Sequence, residues 1–256
     1  MFIIKKGGED MKKIFSNLLL IISICGVLIS GYKLYQIFHE YHEGSVSYKE
    51  LDKHVKIEKN EEKENESPIK LNIDFQELLK INKNCIGWIY IPNTQINYPI
   101  VQSKDNNYCL HHLFNGKWNF TGCVFISDQN NGFEDKNTII YGHNMQNGTM
   151  FTDVNKYKNQ DFLDTHPYIY LAKPNGKTEK YQIFSAYTTE DCSDAYIINF
   201  ATDTFMKQVE SMMNKSEVKT ENVSILDEDK IITLSTCTSR RQLERFVVHA
   251  VKISEN

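Results

Sequence analysis

The 256-residue sequence predicts a mainly β fold: an eight-stranded barrel, closed or nearly closed. A helical portion precedes the barrel, and a long helix comes before the strand that ends in Cys237. Three observations carry this. Eight short apolar runs with strand-like composition follow one another from "CIGWIYI" to "RFVVHAVKI". Turn chemistry such as "PNTQ" separates them, and only two helical periodicities interrupt the series. Hydrophobic content of 41% and charged content of 24% are those of an ordinary globular protein. The formal net charge of -4 gives no basic excess, so nucleic acid is not an expected partner.

Taken in order, residues 1–10, "MFIIKKGGED", read as an upstream extension, because "MKKIFSNLLL" from Met11 is by itself a complete start. Residues 11–38 read as a transmembrane signal anchor. The run Ile14 to Phe38 carries no charge until Lys33, and about 20 apolar residues span a bilayer as a helix. Lys12 and Lys13 precede it and acidic residues follow, which predicts a cytoplasmic N-terminus and an extracellular remainder. A cleaved signal peptide is the alternative, but "SGYKLYQIF" has no small-x-small cleavage site. Residues 39–70 read as a charged stalk, since "KELDKHVKIEKNEEKENE" has too little apolar surface to offset its ordering entropy. Residues 71–256 form the extracellular domain.

In that domain "DFQELL" resembles a capping box, with Asp74 as N-cap, Glu77 at N3, and Phe75, Leu78 and Leu79 on one face. The strand runs "CIGWIYI", "INYPIVQ", "GCVFISD", "NTIIYGHN", "HPYIYLA", "KYQIFSAYTT", "KIITLSTC" and "RFVVHAVKI" come next. One interrupting helix is expected near Met150–Tyr157, with Met150, Phe151, Val154 and Tyr157 at helical spacing. The other is expected over Thr202–Asn214, where Phe205, Met206, Val209, Met212 and Met213 form a stripe that packs it onto the barrel.

Of six cysteines, Cys25 lies in the apolar span, which leaves Cys85, Cys109, Cys123, Cys192 and Cys237 outside. An odd number outside the membrane leaves at least one free thiol. Cys85, Cys109 and Cys123 sit among apolar residues and read as buried inert thiols; a disulfide among these and Cys192 stays open. No CxxC pair is present, and the adjacent His111 and His112 point apart, so no metal is expected. Cys237 ends a strand and shares a face with Ser235 and Thr233. Nearby cations could stabilise its thiolate, so a nucleophile and a buried strand-end thiol are both open readings. A nucleophile needs a proton carrier and an oxyanion donor. His143, after a strand and a glycine, is placed for such work. His249 lies four residues beyond Arg245 on one strand, roughly 13 Å along it, so the two do not easily reach one thiol.

"TLSTC", followed by Arg245 in "RFVVHA" and preceded by "IIYGHNM", resembles a sortase of class B. The likeness extends through "WIYIPNTQINYPIVQSKDNNYCL" and "GCVFISD", from about Asp74 to Ile253. It implies a membrane-anchored cysteine transpeptidase of Gram-positive bacteria on the sortase barrel, without cofactor or metal. The implied catalytic residues are Cys237, His143 and Arg245. The implied substrate-binding residues are Asn106, Leu110, Tyr196, Ile197 and Ser235. The implied partners are secreted proteins with a C-terminal sorting motif and an amine of a lipid II-type peptidoglycan precursor. In "TSRRQLE", Arg240 and Arg241 stand where acidic and aromatic residues are expected in many class B relatives, which makes the rim more basic. A cell-wall cysteine hydrolase or L,D-transpeptidase is the alternative, and a non-catalytic anchored binding module is a third reading.

Overall fold

The computed structural model describes residues 3–58, 69–201, 203–238 and 243–255. The chain divides into a segment ending at Glu43 and a globular unit beginning at Gly44. The first segment belongs to α1 (Ile3–Lys49), the one helix among the described residues long and apolar enough to cross a membrane. Ile14 to Phe38 extends about 37 Å at helical rise, against about 30 Å of hydrocarbon.

In the globular unit a 3₁₀ turn (Glu50–His54) leads into β1 (Val55–Glu58), which pairs antiparallel with β2 (Lys70–Ile73). Residues 44–58, read from sequence as stalk, are thus part of the folded unit, while residues 59–68 lie outside the described residues. The charged run conceals this because its few apolar side chains gain burial only through partners elsewhere: Leu51 and Leu71 are buried, and the buried Tyr48 hydroxyl donates to Gly122 O at 2.6 Å. Next is α2 (Phe75–Ile81), where Asp74 accepts from the Glu77 N–H at 3.1 Å as the capping pattern predicts.

The remaining elements are β3 (Cys85–Tyr90), β4 (Asn97–Gln102), α3 (Asn106–His111), β5 (Val124–Ile126), β6 (Asn137–Tyr141), a 3₁₀ helix (Thr152–Lys158) and α4 (Gln160–Thr165). β7 (Tyr168–Ala172), β8 (Thr178–Glu190), a 3₁₀ turn (Asp194–Tyr196), α5 (Phe205–Lys215), β9 (Ile231–Cys237) and β10 (Glu244–Glu255) complete the described elements. Strands β3 to β10 close a barrel in the order β10-β8-β7-β3-β4-β5-β6-β9, each within one of the eight predicted apolar runs or extending it by a few residues. Two of its pairings are parallel, β4 with β5 and β6 with β9.

α5 matches the predicted long helix. Phe205, Val209 and Met212 are buried against Phe184, Tyr187, Val247 and Val251, each apolar side chain contributing about 1.5–3 kcal/mol. Met206 and Met213 stay 39% and 37% exposed, so only part of the stripe packs on the barrel. The helix expected at Met150–Tyr157 is instead the 3₁₀ helix Thr152–Lys158, entered after Met150 at φ 57, a left-handed conformation that no α-helix continues.

Candidate active site

β9 lies between β6 and β10, and the two pairings bring distant residues together. In the antiparallel register Cys237 stands directly opposite Arg245. Directly opposite residues leave a sheet on the same face with Cβ atoms about 4.5–5.5 Å apart, so thiol and guanidinium start as neighbours. On the other side Tyr141 pairs with Ser235, and the chain leaving β6 stays fastened to β9. The Gly142 N–H donates to Ser235 O at 3.2 Å, and Thr236 Oγ1 donates to Gly142 O at 2.8 Å. His143, the next residue, is thereby delivered to the Cys237 end of β9. A Cβ at position 142 would lie 2.6 Å from the Phe151 ring, so this close approach requires glycine.

His143 is half-buried, and its Nε2 lies 2.9 Å from Leu110 O. A carbonyl can only accept, so Nε2 carries the proton and donates, leaving Nδ1 as the acceptor of the neutral ring. Burial pushes the His143 pKa below 6.5; the Leu110 carbonyl opposes this, while His111 and Arg245 lower it further. Arg245 is also half-buried: its Nη1 donates to Glu244 O at 3.2 Å, and Nη2 faces Asp191 Oδ2 at 3.5 Å. Asp191 is itself placed by its N–H, which donates to Leu243 O at 3.1 Å.

The expected groove residues fall into two groups. Asn106 opens α3 and exchanges two hydrogen bonds with Asp128, each of 2.9 Å, while Leu110, one turn on, supplies the carbonyl that holds His143. Tyr196 and Ile197 lie between β8 and α5. The Tyr196 hydroxyl is 2.8 Å from Ser235 Oγ, its ring stacks on Tyr141 at 6.1 Å, and burial pushes its pKa up to about 12. Ile197 is 39% exposed, whereas Ser235 is buried behind Tyr196. His249 is fully buried within β10, and Arg240 and Arg241 lie outside the described residues.

Sequence reasoning missed Asp128, Asp191 and Asn137, each of which grips a site residue or its backbone. Asn137 alone left a signal, a polar residue opening the apolar run "TIIY". All six cysteines are free thiols. Cys85, Cys109 and Cys123 are buried, and burial raises the Cys85 pKa to about 11; Cys237 is half-buried.

The family model for the sortase domain matches residues 89–253. Sortase B of Listeria monocytogenes serovar 1/2a is 41% identical over 176 residues, which cover 67% of this chain and 70% of that relative. The crystal structure of Clostridium perfringens sortase B matches with a TM-score of 0.67 at 34% identity, over 71% of this chain and all of that one. The Staphylococcus aureus sortase B–substrate complex matches with a TM-score of 0.65 at 32% identity, over 70% of this chain and 84% of that one.

Proposed function

Because the chain belongs to the sortase family, and within it to class B, we propose that this cysteine transpeptidase cleaves the C-terminal sorting signal of secreted proteins after a threonine and joins them to an amine of a cell-wall precursor. The observation that carries the reading is the meeting of three distant residues at one barrel edge: Cys237 opposite Arg245, with His143 strapped alongside through Gly142.

The chemistry follows from the side chains. The Cys237 thiolate attacks the threonine carbonyl, forming the S–C bond. Arg245, with a backbone N–H near the cysteine, stabilises the oxyanion; its planar charged fork suits this task in a way that lysine does not. The imidazolium of His143 gives its proton to the leaving amine as the peptide C–N bond breaks, which leaves a thioester on Cys237. The incoming precursor amine attacks that thioester, His143 takes its proton, and the thiolate departs. With Nε2 held by Leu110, Nδ1 is the nitrogen that carries the transferred proton.

Asn106, Leu110, Tyr196 and Ile197 line the peptide groove in this reading, and Ser235 acts from behind by holding the Tyr196 hydroxyl. That the Staphylococcus aureus relative is a sortase B–substrate complex supports substrate binding on this fold. α1 serves as a single-pass anchor in the plasma membrane, with Lys12 and Lys13 on the cytoplasmic side and the barrel facing the cell wall.

A peptide library followed by an assay with added amine tests the proposal. The expected result is a threonine-containing motif cleaved by the wild type, amine-dependent product, and no turnover by Cys237→Ala or His143→Ala. Full activity in Cys237→Ala overturns it, and resolution by water alone at every amine concentration points to a hydrolase.

A further inference from the structure

A second polar cluster lies on the barrel face that α5 covers, unused by the chemistry above. Asn137, fully buried, opens β6. Its backbone N–H donates to Ile198 O at 3.0 Å. Its side-chain Nδ2 donates to Ile197 O at 2.9 Å and to Ala195 O at 3.3 Å. Its Oδ1 accepts from Thr233 Oγ1 at 2.8 Å, Thr233 Oγ1 lies 2.9 Å from His249 Nδ1, and His249 Nε2 lies 3.2 Å from the Tyr187 hydroxyl.

These bonds have one consistent direction. Thr233 has a single hydroxyl proton, which goes to Asn137, so Thr233 must accept from His249 Nδ1–H. His249 Nε2 then accepts from the Tyr187 O–H. Burial pushes the His249 pKa down to about 3, so the ring stays neutral and this tautomer persists. The chain of donors fixes which end of the Asn137 amide is oxygen and aims both of its N–H groups at the loop. Three carbonyls within residues 195–198 are therefore held by one side chain and its backbone, and the two side chains in the middle of that segment are those of Tyr196 and Ile197.

We infer that Asn137 is a positioning residue for the substrate groove: it fixes the backbone of residues 195–198 so that Tyr196 and Ile197 stand as a wall beside Cys237. The inference rests on the groove reading of those two residues given above. Through Thr233 it also couples the wall to β9, the strand that carries the nucleophile. A groove wall acts on peptide capture, whereas the thiol, imidazole and guanidinium are placed by other contacts, so its loss separates KM from kcat.

The test uses the wild type, Asn137→Ala, Thr233→Val and Cys237→Ala on a peptide that the wild type cleaves, with thermal melts and the alkylation rate of Cys237 by iodoacetamide measured in parallel. KM is expected to rise roughly ten- to a hundredfold in Asn137→Ala at temperatures where it is folded, with kcat within about twofold and alkylation unchanged. Thr233→Val, which leaves Asn137 in place without its fixing donor, is expected to move KM the same way by less, and it carries the test if Asn137→Ala does not fold. An unchanged KM, or a loss of kcat that follows only the folded fraction, overturns the inference. If Cys237→Ala is inactive while the other two variants keep the wild-type KM, the inference falls and the transpeptidase reading stands. If Cys237→Ala still cleaves, that reading itself falls.

Discussion

The antiparallel pair of β8 and β10 carries charged side chains at both ends and treats them in opposite ways. At the end away from the nucleophile, buried Glu179 receives Lys173 at 2.8 Å, Lys252 at 2.9 Å and the Tyr181 hydroxyl at 2.8 Å. At the other end Arg245 pairs with Thr189 on β8 and with Cys237 on β9, and meets Asp191 at the longer distance of 3.5 Å. The first arrangement saturates a buried carboxylate with short bonds and ties the β7–β8 turn, β8 and β10 together. The second holds a half-buried cation beside a thiol, with Asp191 at 3.5 Å, and in the proposed mechanism this cation meets the developing oxyanion. The same ladder thus stabilises the barrel at one end and, in the proposed transpeptidase, serves the reaction at the other.

The largest test of this contrast is at the reactive end. Cys237→Ala should lower peptide cleavage at least about a thousandfold with little change in melting temperature, as measured by steady-state kinetics and thermal unfolding. Next, Arg245→Lys, which keeps the charge and loses the planar fork, should lower kcat about a hundredfold; near-wild-type turnover would mean that charge alone suffices.

At the closed end Glu179→Gln should destabilise the fold by about 1–3 kcal/mol in denaturant melts and leave kcat/KM of the folded enzyme unchanged. Burial alone would raise the Glu179 pKa, but Lys173 and Lys252 hold it below 4.5. Its stabilisation is therefore full above that ordinary value and lost as pH falls through the depressed one, so the variant should approach the wild type in stability at strongly acidic pH. Lost activity in the folded variant would break the division between the two ends.

The smallest effect concerns pH. In the proposed mechanism the competent Cys237–His143 pair holds a single proton, and below the His143 pKa a second proton removes that state. Because burial lowers that pKa, with help from His111 and Arg245, the acid limb of kcat/KM should lie below 6.5. His111→Gln removes one lowering influence and should shift that limb upward. A limb that stays in place would mean that His111 has no part in it.

Much of this was legible in the sequence because strand periodicity is local. All eight barrel strands announce themselves through apolar runs, and Asp74 with Glu77 announces a helix start through side-chain chemistry alone. What stayed hidden depends on partners far along the chain. "VKIE" becomes β1 only because Lys70–Ile73 pairs with it across residues rich in charge. α3 and α4, of six residues each, are too short to show a period, although Asp105 and Asn159 cap them. The proposed catalytic residues come from likeness to a family, since strand geometry alone could set His249 aside but had no means of bringing His143 to the Cys237 end of β9. Asn137 looked like a strand boundary, and its grip on the 195–198 backbone is a fact of tertiary structure.

The parallel pairing of β6 with β9 has a consequence in time. The β6–β9 partners, from Asn137 with Ile231 to Tyr141 with Ser235, are the most widely separated in the described barrel ladders, each pair 94 positions apart, as are His143 and Cys237. Contacts of such separation carry the largest loop-closure cost and belong to slow folding. A chain that has formed its local hairpins but not this closure keeps Cys237 and His143 apart. In the proposed transpeptidase, reactivity is then conferred by the longest-range closure of the barrel, so an incompletely folded chain does not carry the assembled chemistry.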